Sequence, residues 1–180
     1  MNNDLMGYVT SVLKTTPSRW LTLASTLPDD LLRRPPAIGE WPASDCLYHL
    51  YSTELYVFPY RVRLFLEGRD FPAYDPDQEE AQREDMPLAQ LAEEFARLRA
   101  GSLGLLATVR DEDLDLRVRH SDLGPVSLRE MLHEWAAHDL MHTVQAERAL
   151  MQAFLPGTGP WREFFADHDV ERARTVSNPG

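Results

Sequence analysis

Residues 127–152 read SLREMLHEWAAHDLMHTVQAERALMQ, and this stretch decides how the rest of the chain is understood. Ser127 and Glu130 have the S-x-x-E spacing of a capping box, in which each side chain accepts a backbone N–H that the first helical turn leaves open. Neither glycine nor proline follows until Pro156, so the helix is free to run to the PGTGP stop at residues 156–160. Trp135, Ala146 and Ala149 fall near one side of it. His138 and His142 share that side, because four residues advance a helix by little more than one turn. A helix this long with an apolar stripe needs other helices to cover it.

Upstream, three further segments carry the same periodicity. Asp85 is placed to cap a helix with Pro87 close behind, and Leu88, Leu91, Phe95, Leu98, Leu105, Leu106 and Val109 form its apolar face. A second helix is expected from Pro42 to Glu67, bent at Pro59 and stopped by Gly68. A first spans Asp4 to Leu27 with Leu5, Val12, Leu13, Trp20, Leu23, Ala24 and Leu27 inward, and Pro17 must kink it or start a new turn after Thr16. Between them lie PDDLLRRPPAIGEWP (28–42), with room for one turn at Asp29–Leu32, and the polar link GRDFPAYDPDQEEAQREDM (68–86). In DEDLDLRVRHSDLGPV (111–126) only Leu114–Val118 alternates, a small extended arm. Trp161, Phe164 and Phe165 mark a short C-terminal helix or lid before the tail ERARTVSNPG.

Four long amphipathic segments, no convincing sheet and no repeat period predict an all-α four-helix bundle with long inter-helix links and a short C-terminal helix. The expected organisation is a single domain over 1–180, with its core at about 4–153 and a lid or tail from 156. The long links leave the up-down order of the helices open.

Composition narrows the function. Of 180 residues, 43% are hydrophobic and 26% charged, which suits a globular chain. The net charge of −11 opposes binding to nucleic acid, whose phosphates require a basic surface. No apolar run reaches the roughly 20 residues of a membrane span. The first residues, MNNDLMGYVTSVLKTTPSRW, lack the features of a secretory signal, so the expected location is cytoplasmic. The single cysteine, Cys46, excludes an internal disulfide framework and any multi-cysteine metal site.

The histidines supply the chemistry. His138 and His142 form an HxxxH pair whose imidazoles suit zinc, nickel, copper or iron(II). Such pairs also occur on solvated helix faces, but here the neighbouring apolar residues point the pair inward. His49 is the third candidate, set among Leu47, Leu50, Leu55 and Val57 in the middle of the second helix. A lone histidine there can equally be a hydrogen-bonded core residue. Bundle cores do, however, build metal sites from inward residues on facing helices, and three histidines leave a coordination position open. His133 points elsewhere on the helix, while His120 and His168 fall in loop or tail. Glu54, Gln145 and Asp139 are candidate supporting groups: Glu54 as acceptor of an imidazole N–H or as base, Gln145 as orienter of water or substrate, Asp139 as the neighbour of His138. Glu134 shares the His138 face but reads as a surface carboxylate, and Cys46 as a buried structural thiol.

Two motifs together resemble a known family. GEWPASDCLYHLYSTE (39–54), with a tryptophan opening a helix and a histidine about two turns in, is similar to the first ligand motif of the DinB/YfiT-like metalloenzymes. HEWAAHDLMHTVQAER (133–148) is similar to their later H-x3-H-x2-Q motif, and the order and separation agree over nearly the whole chain. The resemblance implies a bundle in which His49, His138 and His142 hold one divalent metal, zinc or nickel, completed by water. It further implies a frequent homodimer and, in members with assigned activities, bacillithiol S-transfer or mycothiol-dependent isomerisation, the metal activating a low-molecular-weight thiol. Pro42 replaces the serine or threonine cap frequent in relatives, and Met141 replaces a further histidine. The expected function is therefore a metal-dependent, thiol S-transferase-like enzyme acting on small electrophiles. The alternatives are a metal-dependent hydrolase and a non-catalytic, stress-associated helical metal-binding protein.

Overall fold

The computed structural model of the protein describes residues 4–74 and 86–172. Helix α1 (Leu5–Thr26) begins at Asp4, whose Oδ1 accepts the Gly7 N–H at 2.8 Å. It runs through Pro17 as one helix, so no new turn begins after Thr16. Proline has no N–H to offer the carbonyl four residues back. That carbonyl, of Leu13, instead accepts Arg99 Nη1 at 3.0 Å. A single turn, α2 (Asp29–Leu32), lies where the sequence left room for it.

The expected second helix is two. Helix α3 (Ala43–Tyr56) and helix α4 (Phe58–Glu67) meet at Val57, whose φ of −114° and ψ of −75° break the ladder two residues before Pro59. Pro59 cannot bond the Leu55 carbonyl, so the interruption falls on the turn that precedes the ring rather than bending a continuous helix. Gly68, at φ 67°, ends α4 in the left-handed conformation, and Arg69 N–H reaches the Leu64 carbonyl at 2.9 Å. Helix α5 (Leu88–Leu106) has Pro87 at its N-cap with no side-chain cap, and Asp85 lies outside the described residues. Helix α6 (Leu128–Met151) carries the predicted box: Ser127 N–H donates to Glu130 Oε2 at 2.7 Å, and Glu130 N–H to Ser127 Oγ at 3.2 Å.

Of the arm expected at Leu114–Val118 only Arg117 and Val118 are in a strand, and that strand belongs to a hairpin, which corrects the expectation of no sheet. After a 3₁₀ turn at Asp111–Asp115, strand β1 (Arg117–His120) pairs antiparallel with β2 (Gly124–Ser127). Phe71 joins it through its N–H to the Arg119 carbonyl, 3.1 Å, and its carbonyl to Ser121 N–H, 3.2 Å. His120, expected in a loop, is therefore the last residue of β1 and is buried. After α6 come 3₁₀ turns at Leu155–Gly157 and Gly159–Phe165, anchored by Arg162 to Asp169. Trp161 and Phe164 are 64% and 81% exposed, so they close no lid.

Helices α1 and α3 each pack against both α5 and α6, which places α1 diagonal to α3 across the bundle. Two apolar clusters set the directions. One joins the start of α1, α4, the end of α5 and the start of α6 through Leu5, Phe58, Leu106 and Trp135. The other joins the end of α1, the start of α3, the start of α5 and the end of α6 through Trp20, Leu47, Leu91 and Ala146. Hence α1 and α6 run one way and α3 and α5 the other. Between the clusters lies a buried polar layer that contains Glu54, Arg99, Asp139 and His142.

Candidate metal centre

His138 and His142 rise from adjacent turns of α6, and α3 brings His49 against them from the neighbouring helix. Ring centroids are 4.5 Å apart for His138–His142, 4.6 Å for His49–His142 and 5.1 Å for His49–His138. One potential ligand atom from each ring falls within 4.8 Å of the others, and His49 Nε2 is 3.0 Å from His138 Nε2. Nitrogens at tetrahedral sites about 2.0–2.1 Å from one zinc stand about 3.3 Å apart, so this spacing suits a single ion after small side-chain adjustment. Among the described residues no carboxylate or thiol joins the group.

The donor set is chemically matched to a metal. Burial pushes His138 down to about 3, reinforced by His142, His49 and Arg99, so its ring is neutral and its lone pair available. His138 Nδ1 is buried with no hydrogen-bond partner. His142 Nδ1 is 2.9 Å from Gln145 Oε1, which places the proton on Nδ1 and leaves Nε2 as the ligand atom. Aromatic rings hold the cluster: Trp41 stacks on His142 at 5.8 Å, and Phe58 meets His138 edge-on at 5.1 Å while stacking on Trp135. Tyr74 stands edge-on to His49 at 6.1 Å.

The other candidates are placed differently. Asp139 and Glu54 face away from the histidines onto Arg99, which the sequence reading overlooked. Arg99 grips Asp139 with two bonds of 2.6 and 3.0 Å, and its Nη2 lies 2.9 Å from Glu54 Oε2. All three side chains are essentially without solvent. Burial pushes the Glu54 carboxyl above its ordinary value, and Arg99 pulls against it. Burial alone would lower Arg99, but the two carboxylates hold it fully charged. Arg99 sits on the inward row with Leu91, Phe95 and Ser102, so an arginine on an apolar stripe was the signal available. Gln145, expected to orient water or substrate, instead bonds the His142 ring.

Cys46 is completely buried in the Trp20–Leu47 cluster, and burial pushes its thiol up to about 12. His133 is exposed, and His168 lies apart, its carbonyl accepting from Arg148 and Gln152. Glu134 belongs to a separate cavity with Arg61 and His120.

The fold is similar to the solved structure of YfiT from Bacillus subtilis, described as a probable metal-dependent hydrolase with an unusual four-helix bundle topology. The TM-score is 0.70 at 20% identity, covering 86% of this chain and 89% of that one. No curated protein sequence matches significantly. Residues 13–146 match the DinB superfamily, and the chain belongs to that superfamily.

Proposed function

We propose that His49, His138 and His142 bind one divalent ion, zinc or nickel, and that the protein is a metal-dependent enzyme acting on small molecules. The observation that carries this reading is the convergence of three imidazoles, without carboxylate or thiol, at a point where His49 and His138 keep some exposure. Three protein ligands leave a position for a reacting group, as catalytic sites do. An ion held there supplies Lewis acidity, which brings the pKa of a bound thiol or water toward neutrality.

The chain's own residues do the rest. Gln145 fixes the ring of His142, Trp41 shields two of the histidines, and the Arg99 network locks the rotation of α6 about Asp139. A cavity of about 360 Å³ lined by Trp41, Met141, Val144, Gln145 and Arg148 adjoins the centre through Trp41 and Gln145. Its apolar wall suits a small electrophile. The favoured reaction is S-transfer: a low-molecular-weight thiol gives its proton to solvent, its sulfur forms a bond to electrophilic carbon, and the leaving group departs with the bonding pair. Cys46 cannot be that nucleophile, because it is buried in the core. Hydrolysis is the second reading, favoured by the likeness to YfiT, which is described as a probable metal-dependent hydrolase.

Elemental analysis tests the site. Native protein is expected to carry about one metal per chain, and His49→Ala or His138→Ala to lose it. Equal metal content in wild type and the double variant overturns the reading. With the site loaded, thiol consumption against a panel of electrophiles supports S-transfer, and ester or amide cleavage without thiol supports hydrolysis.

A further inference from the structure

Arg61 on α4 is 8% exposed, its guanidinium 4.9 Å from the centre of the Phe71 ring. Among the described residues it has no ion pair and no hydrogen bond. Its nearest opposite charge, Glu134, acts on it only through space. His120 on β1 is 9% exposed, and its Nδ1 accepts the backbone N–H groups of Asp122 and Leu123 at 3.1 and 3.4 Å. With Nδ1 accepting, the ring proton sits on Nε2, which has no partner among the described residues.

Both side chains line one cavity of about 290 Å³ between α4, α6 and the hairpin. Phe71, Leu123, Val126 and Met131 make up its apolar wall, and none of the three clustered histidines borders it. Glu130 and Glu134 line it as well. Glu130 is committed to the cap of α6, and Glu134, its carboxyl pushed up by partial burial, meets Arg61 and His120 through space alone. The Arg61 guanidinium and the His120 Nε2–H are thus two donors that open onto one cavity with no hydrogen-bonded acceptor among the described residues. Their shared complement is an anion, and the apolar wall adds a short hydrocarbon body.

We propose that this cavity is a binding site for a small amphipathic carboxylate, distinct from the candidate metal centre, with the carboxylate on Arg61 and His120 and the apolar part against Phe71, Val126 and Met131. The reading does not depend on the metal. Hexanoate serves as probe in calorimetric titration of the full chain, with hexanamide as its uncharged counterpart and inorganic phosphate as an anion without a tail. Saturable one-to-one binding of hexanoate is expected, weakened roughly tenfold or more for hexanamide and phosphate. Arg61→Met should lose binding to a similar degree. Leu123→Trp, on an exposed turn, should block it without touching the core. His138→Ala should leave it intact. No saturable binding overturns the proposal. So does equal affinity for hexanamide or phosphate, or binding that survives Arg61→Met and disappears with His138→Ala, which is ligation by the metal.

Discussion

His138 is an imidazole held neutral by its surroundings. Burial pushes it from an ordinary 6.5 to about 3, with the other two histidines and Arg99 adding to the effect. The direction of the pH dependence follows. Between those two values the unfolded chain binds a proton that the folded chain refuses, so metal-free protein should lose stability as pH falls from about 6.5 toward 3. Above that window His138 should contribute no slope. Urea unfolding in the presence of chelator checks this, with His138→Phe as the comparison, and the variant should show the shallower acid dependence. An identical pH slope in both proteins would mean that His138 is not kept neutral. The same residue explains how far the candidate centre could be read in advance. The HxxxH spacing places two rings on one helix face without any knowledge of tertiary structure. His49 required the helices to be assembled, and the collar of Trp41, Phe58 and Tyr74 comes from segments whose positions no local pattern dictates.

At the level of elements, Arg99 ties all four long helices together: its own α5, Leu13 of α1, Glu54 of α3 and Asp139 of α6. Buried ion pairs contribute little net stability when compared with apolar replacements, but removing one member strands the others. Arg99→Met should therefore cost about 3–5 kcal/mol, read from the denaturation midpoint. Adding Glu54→Gln and Asp139→Asn to that variant should recover part of the loss. A single variant as stable as wild type would show that the carboxylates find other partners. Elements that carry their own signals were legible, α6 above all, through its capping box and unbroken periodicity. The hairpin was not, because strands of four residues depend on pairing with each other and with Phe71, some 50 positions away in sequence. The split at Val57 was missed by two residues, since Pro59 disrupts the turn before it.

For the molecule as a whole, the outer face of α6 leaves Leu140, Met141 and Val144 at 50, 55 and 60% exposure. We propose that a second copy of this chain packs on that stripe, beside the cavity that Met141 and Val144 also line. Light scattering should then give about twice the 20.6 kDa chain mass, and Leu140→Asp should halve it. A monomeric wild type would remove the dimer from the account. No helix among the described residues is long and apolar enough to cross a membrane.

The diagonal placement of α1 and α3 also governs how the chain must reach this state. Helices consecutive in sequence usually close on each other as a hairpin, yet α1 makes its main packing contacts, among the described residues, with α5 and α6. The first long helix thus waits through more than half of synthesis for its neighbours, and the loop closed when they dock is large. Until α5 emerges, the apolar rows of α1 and α3 lack their main cover, and α6 completes it only later. In that interval the nascent chain exposes the kind of apolar surface that holding chaperones recognise.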